Sequence, residues 1–383
     1  MGSKWNLQAL GLGVALFLVP WTSLSEPATP SDAEIMTCGG WTPAFPRNET
    51  YTIFYGTAGN DTIYGTPGND MISAGDGDDV VYGRDGDDVI CGGRGNDKLF
   101  GNRGDDEIYG EYLVGGDGDD NLVGGDDLIN GGPGFDYFMG DALFGGKGND
   151  TLRGGNDTII SGPGGTLRQP DPVTGFISTS GGDGIVGGPG DDLMYGGEDI
   201  IVGGGGDDSF HGDVLQGQAG ADVSFGGNDT MWGGAGNDKL LGDFPGGGPD
   251  FATDTMTGGR DKIYGGPGDD VLIGDQFVAG EGDDLMTCGD DLLDGGSGND
   301  RLLGDGVYGD SSTGAGNGTD TVTYGADILL GRFGNDELVG ENSTNVEMES
   351  GGDDVLLDGG AGSDSCDGGP GIDVVRRCET IEN

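Results

Sequence analysis

Basic residues are scarce in this chain: 16 lysines and arginines stand against 69 aspartates and glutamates over 383 residues, a net charge of −53. Such a chain repels nucleic-acid phosphates and anionic membrane surfaces, which removes both as partners. Histidine occurs once, as His211, leaving almost no material for a serine–histidine or cysteine–histidine catalytic pair. Hydrophobic residues make up only 33%, and no apolar run reaches the length of a membrane span, so no membrane insertion is expected. Low hydrophobicity with high net charge ordinarily predicts disorder, while length alone suggests two or three globular domains. Neither reading accounts for the residue in excess, glycine, of which there are 91. These glycines recur at fixed spacing.

From Gly56 the chain falls into nine-residue units of the form G-G-x-G-(N/D)-D-x-U-x, where U is large and apolar. Gly56–Tyr64 is followed by units opening at Gly65, Ala74, Gly83, Gly92 and Gly101. From Gly115 the lengths run nine, seven, nine, five: Gly115–Val123, Gly124–Asn130, Gly131–Met139 and Gly140–Phe144, a 30-residue block that reopens at Gly145. The same phase returns at Gly187–Tyr195, Gly196–Val202, Gly203–His211 and Gly212–Gln216, and again from Gly265 to Asp294. Shortened units lose residues from the glycine turn and keep the D-x-U-x end. Period-2 alternation turns U inward: Ile63, Ile72, Val81, Ile90, Leu99 and Ile108 begin an inner column that Leu122, Leu152, Leu240 and Leu302 continue.

Regular units predict two-strand solenoid turns of 18 residues between Gly56 and Tyr109. Beyond them the spacing predicts turns alternating between 16 and 14 residues, with full units on one edge and shortened ones on the other. Segments 161–181, 247–257 and 309–323 each fill a slot where a full unit is due, which predicts loops bulging from the full-length edge of one continuous solenoid. Its core is thin, about one large side chain per strand, and insufficient alone to offset the ordering entropy of so many glycines.

The unit G-G-x-G-x-D-x-U-x resembles the repeat of the repeats-in-toxin (RTX) calcium-binding family, and the resemblance runs from Gly56 to Arg376. It implies an all-β fold, a parallel β-roll solenoid with calcium ions between successive turns, bound by Asp side chains and turn carbonyls. The residue types support that chemistry independently. Glycine at positions one, two and four opens backbone angles that aim carbonyl oxygens at a common point. Hard oxygen donors, with no histidine or thiolate among them, select calcium over zinc or copper. Aspartates stacked about 4.8 Å apart repel by roughly 1 kcal/mol per neighbouring pair in water and more inside protein, so a cation is expected between them. The positions matching the family's aspartate are Asp61, Asp70, Asp79, Asp88, Asp97, Asp106, Asp120, Asp136, Asp150, Asp192, Asp208, Asp222, Asp238, Asp270, Asp284, Asp300 and Asp336. Asp127, Asp157, Asp199, Asp229, Asp261 and Asp291 are weaker candidates, because their turns lack residues of the ligand loop and an aspartate there can equally cap a turn.

Lys4, the apolar run Ala9–Val19 and the small residues Ser23 and Ser25 read as a secretory signal. Five cysteines suit an oxidising compartment. The expected pairs are Cys366–Cys378 and Cys38–Cys91, with Cys91 facing outward and Cys288 left over. The expected division is signal peptide 1–25, N-terminal capping segment 26–55, calcium-binding β-roll 56–376 and C-terminal tail 377–383. An export signal and cysteines depart from the pattern of many RTX proteins, and no catalytic or pore-forming domain accompanies the repeats, so toxin activity is not implied. The expectation is a secreted or cell-surface calcium-binding protein that folds on calcium and is not an enzyme. Its expected role is structural, matrix or adhesion, with an extracellular polysaccharide or cell-surface matrix as the partner class. The alternative is a calcium-dependent accessory module of an extracellular polysaccharide-acting enzyme. Acids outside the repeat register are Asp171, Asp250 and Glu347, none with an evident partner for acid–base work. Outward positions hold Thr62, Met71, Val80, Val89, Lys98 and Glu107, which is no threonine rank of the kind an ice-binding face presents. His211 occupies an outward position expected at the surface.

Overall fold

A computed structural model describes residues 51–382, apart from 117, 164–168, 171–176, 179, 249–251, 280–282, 309–319, 345–346, 351–353 and 370. Among the described residues there are strands and turns and no helix. Paired glycines, each costing about 1 kcal/mol in a helix, recur too often for one to form, and the short D-x-U-x runs between them extend instead. The strands gather into three long sheets of 14, 12 and 8 strands, here I, II and III. Within them each strand pairs in parallel with the equivalent strand of the neighbouring turn.

The first turns are 18-residue rolls between sheets I and II: Thr62 pairs with Val80, and Val80 with Lys98. The repeat then grows to 30 residues, since Ile108 pairs with Phe138, Leu122 with Leu152 and Ile129 with Ile159. The expected alternation of 16- and 14-residue turns is thereby corrected. The two pieces lie side by side as lobes of one turn. The chain runs through Asn121–Val123 in sheet III, Leu128–Asn130 in sheet II, and then Tyr137–Phe144, a single strand of sheet I. The physical reason lies at Gly140-Asp141. Phe138 and Leu143 stand five residues apart in one strand and so face opposite sides of it, Phe138 into the first apolar column and Leu143 into the second. The five-residue unit therefore continues the strand through a bend, and only the nine- and seven-residue units make corners.

Full-length units therefore occupy two corners, sheet II to I and sheet I to III, rather than one edge. The inserted segments follow them: 161–181 departs between sheets II and I, whereas 247–257 and 309–323 precede strands of sheet III.

Each lobe has its own apolar column. Ile72, Val81, Ile90, Leu99 and Ile108 lie between sheets I and II with Ile129, Phe138, Leu240 and Leu302. Leu113, Leu122, Leu143 and Leu152 begin the column of the second lobe, which Met256, Phe277, Met286 and Val307 continue. Ile63, in the first strand of sheet II, is only partly buried against the first column.

The last turns return to a single lobe, where Cys366 fills a core position and is joined to Cys378 with Cα atoms 6.0 Å apart. Cys91 is disulfide-bonded; it is buried rather than outward-facing, packed among Tyr109, Tyr112 and Tyr137. Cys38 and the expected signal segment lie outside the described residues. His211 is also buried, at 2% exposure, rather than at the surface. The adjacent strand offers Gly181 there, and with no side chain on it the imidazole lies against its backbone.

Candidate metal centre

The aspartates at the corners form ladders. In each, a side-chain oxygen accepts the backbone N–H of the aspartate one turn earlier, which holds one carboxylate above the next. The first ladder, at the corner leading into sheet II, runs Asp61, Asp79, Asp97, Asp127, Asp157, Asp199, Asp229, Asp261, Asp291 with N···O distances of 2.6–2.8 Å. The second, between sheets II and I, runs Asp70, Asp88, Asp106, Asp136 and, past the 161–181 segment, Asp208, Asp238, Asp270, Asp300, Asp336. The third, between sheets I and III, holds Asp120, Asp150, Asp192, Asp222 and Asp284.

Every sequence-predicted aspartate thus falls on one of three ladders. The weaker candidates from shortened units share the first ladder with Asp61, Asp79 and Asp97. Asp254, Asp320 and Asp327 also stand in the ladders. Sequence spacing missed the first two because each ends an inserted segment, although both still precede a Thr-x-Thr strand. Glu347 lies in the strand Glu347–Ser350; Asp171 and Asp250 lie outside the described residues.

The ladders differ in how their second carboxylate oxygen is satisfied. In the third, Asp120, Asp150 and Asp222 accept N–H groups from Gly116, Gly146 and Gln218 of their own turns at 2.7–2.9 Å, as Asp61 and Asp70 at the start of the other two accept those of Thr57 and Thr66, while the second oxygen of Asp192 is buried without a partner. In the other two, the second oxygens of Asp79, Asp97, Asp157, Asp199 and Asp229, and of Asp88, Asp106, Asp136, Asp238 and Asp270, are buried without a hydrogen-bond partner. Leaving such an oxygen unsatisfied costs about 1–3 kcal/mol, more when it is charged. Burial accordingly pushes Asp88 and Asp136 up to about 8 and Asp97 and Asp106 up to about 7, with neighbouring carboxylates adding to it and backbone hydrogen bonds partly opposing it.

A further column was missed by the sequence reading. At the equivalent bend of sheet I in successive turns an acid lies buried: Glu111, Asp141, Asp183 (between the short strands Ser180–Gly181 and Gly184–Val186), Asp213, Asp243, Asp275, Asp305 and Glu341. Its signal in the sequence was an acidic residue directly after the opening glycine of the five-residue units, as in Gly110-Glu111, Gly140-Asp141 and Gly212-Asp213. Asp141, Asp183, Asp213 and Asp243 each accept the N–H of the second glycine of a shortened turn, Gly155, Gly197, Gly227 and Gly259, at 2.6–2.8 Å. In that turn the first glycine leaves room for the acid, since a Cβ on Gly154 would stand 1.5 Å from a carboxylate oxygen of Asp183. Cys288 occupies this glycine position in a later turn; it is a free, buried thiol.

The bend acids meet the first ladder between the two lobes. Asp141, Asp157 and Asp183 bring carboxylate oxygens within 4.8 Å of one another, as do Asp183, Asp199 and Asp213, and Asp213, Asp229 and Asp243. At that separation two full charges repel by about 3–4 kcal/mol at an effective dielectric of 20. The donor set at the corners and between the lobes is almost wholly oxygen, stacked at one-turn intervals and short of partners, which fits a hard divalent cation such as calcium.

The model of the RTX calcium-binding nonapeptide repeat (4 copies) matches residues 55–90, 82–111, 111–138, 138–165, 177–210, 197–214, 212–228, 226–244, 257–278, 289–306, 321–346 and 348–375, well over half of the chain. The chain belongs to the RTX repeat family. No curated protein matches it. As an RTX repeat protein it is a calcium-binding solenoid, and its two-lobed turn places shortened repeats opposite the strand bends.

Proposed function

We propose that this RTX protein is exported and acts outside the cell as a scaffold that folds when calcium loads its aspartate ladders. The observation that carries the reading is the rows of buried, unpartnered carboxylate oxygens in the first two ladders. A chain of net charge −53 has no reason to stack such groups unless something positive joins them, and too few lysines and arginines to supply it. Asp61, Asp79, Asp97, Asp127, Asp157, Asp199, Asp229, Asp261 and Asp291 would hold ions at the first corner, and Asp70, Asp88, Asp106, Asp136, Asp208, Asp238, Asp270, Asp300 and Asp336 at the second. Asp120, Asp150, Asp192, Asp222 and Asp284 would do so at the third, where backbone N–H groups already compete. Residues 1–25 would serve export, 26–55 would cap the roll spanning 56–376, and the inserted segments would supply contact surfaces for a structural, matrix or adhesion role.

The test is circular dichroism of the exported chain, beginning at Glu26, titrated with calcium and with magnesium at neutral pH. Conversion from a disordered to a β-rich spectrum with calcium and not magnesium is expected. A β-rich spectrum indifferent to chelation would refute the reading.

A second reading, an accessory module for a polysaccharide-acting enzyme, draws on aromatic stacks along sheet II. Tyr64, Tyr82 and Phe100 stack at 5.0–5.1 Å and Trp232 on Tyr264 at 5.7 Å, and Trp232 is 40% exposed. Flat exposed aromatics suit the apolar faces of sugar rings. This reading expects retention on an insoluble polysaccharide that Trp232→Ala abolishes; equal retention of that variant would count against it.

A further inference from the structure

We infer that a second row of cation sites runs inside the solenoid, between its two lobes, where the bend acids of sheet I meet the shortened turns. The inference rests on the proposal that calcium loads the corner ladders, and adds sites that the nonapeptide turn does not contain. Each site would be a trio of carboxylates: Asp141–Asp157–Asp183, Asp183–Asp199–Asp213, and Asp213–Asp229–Asp243, each with oxygens within 4.8 Å.

Three observations converge on it. The seven-residue unit lacks two residues of the turn that supplies backbone oxygens in a full unit, and the bend acid reaches that place from the opposite sheet. The trio members are at most 1% exposed, and unpartnered oxygens remain on Asp141, Asp157, Asp199, Asp229 and Asp243. The ion pairs of Arg103, Arg260, Arg301, Arg332 and Arg377 are made with Asp85, Asp290, Glu337, Asp294 and Asp358, none of them a bend acid. The seven carboxylates of the three trios supply about five oxygens per site, Asp183 and Asp213 each serving two sites, so bridging oxygens or water would complete the six to eight that calcium takes. Farther along, the thiol of Cys288 stands within 4.8 Å of Asp275 and Asp305. A sulfur donor suits softer metals, so the calcium row is interrupted there.

The experiment counts calcium by flow dialysis with radiocalcium on the exported chain and on Asp213→Asn, both followed by circular dichroism. Because Asp213 belongs to two trios, the variant is expected to bind about two fewer ions while still folding on calcium. A folded, calcium-dependent variant with an undiminished count overturns the inner row and leaves the corner ladders standing. A parent chain whose folding ignores calcium overturns both. Should the variant fail to fold, infrared spectroscopy of the parent at neutral pH and saturating calcium decides. The row requires ionised carboxylates, so no protonated carboxyl band is expected, and a strong one would show that the inner acids hold protons instead of ions.

Discussion

The calcium-free chain is expected to hold its β-solenoid at about pH 3.5 and to lose it as the pH rises through 6 to 8, the reverse of ordinary acid denaturation. Burial, joined at every one but Asp275 by neighbouring carboxylates, raises Asp222 and Asp270 to about 6, Asp97, Asp106, Asp213, Asp275 and Asp300 to about 7, and Asp88 and Asp136 to about 8. These folded values lie above the value of an unfolded aspartate, about 3.9, so the folded chain binds more protons than the unfolded one. The stability they contribute is complete below the unfolded value and disappears as the pH passes through the folded values. Each tenfold preference for the proton is worth about 1.4 kcal/mol. The shifts all carry the same sign, so they reinforce one another along the ladders. In the proposed calcium-loaded state the ion would take the proton's place, and because its ligands must be deprotonated its affinity should rise over the same pH range. Far-UV circular dichroism of metal-free protein across pH 3 to 9 reads this directly; a transition in the opposite sense would contradict the ladder electrostatics.

The second large effect concerns a glycine that cannot change. A Cβ on Gly227 would lie 1.3 Å from the carbonyl oxygen of Gly197, one turn away. The N–H groups of Gly197 and Gly227 are held by the buried carboxylates of Asp183 and Asp213, so the clash falls on fixed backbone and is not relieved as one with a flexible side chain would be. Gly227→Ala is expected to cost 3 kcal/mol or more, seen as a lower melting temperature and a higher calcium midpoint. Gly205 makes the comparison, since a Cβ there meets nothing within 4 Å. Gly205→Ala should stay within about 0.5 kcal/mol of the parent. Equal melting of the two variants would mean that the turns are not stacked as closely as described.

Much of this was legible in the residues, and the exceptions have physical causes. The unit G-G-x-G-x-D-x-U-x gives both the apolar column and the aspartate positions, because one residue in two faces inward along a strand. Spacing could not reveal which units reverse the chain. Gly140-Asp141 looks like a small turn in sequence, yet it is only a bend in a strand of sheet I. That difference converts two successive turns into the two lobes of one, and carries Asp141, Asp183 and Asp213 inside. The shortened units seemed poorer sites because they had lost turn residues; the structure sets bend acids opposite that gap. His211 and Cys91 looked outward by alternation, but alternation names only the side of the sheet, and that side is covered where they stand.

The central claim is that calcium in the aspartate ladders holds the solenoid together. Its most direct test counts the calcium ions released per chain while the β-sheet signal is followed during chelation at neutral pH. On the order of ten or more ions, lost in step with the β-sheet signal, is the predicted result. A chain that keeps its full β-structure with no calcium bound would contradict it.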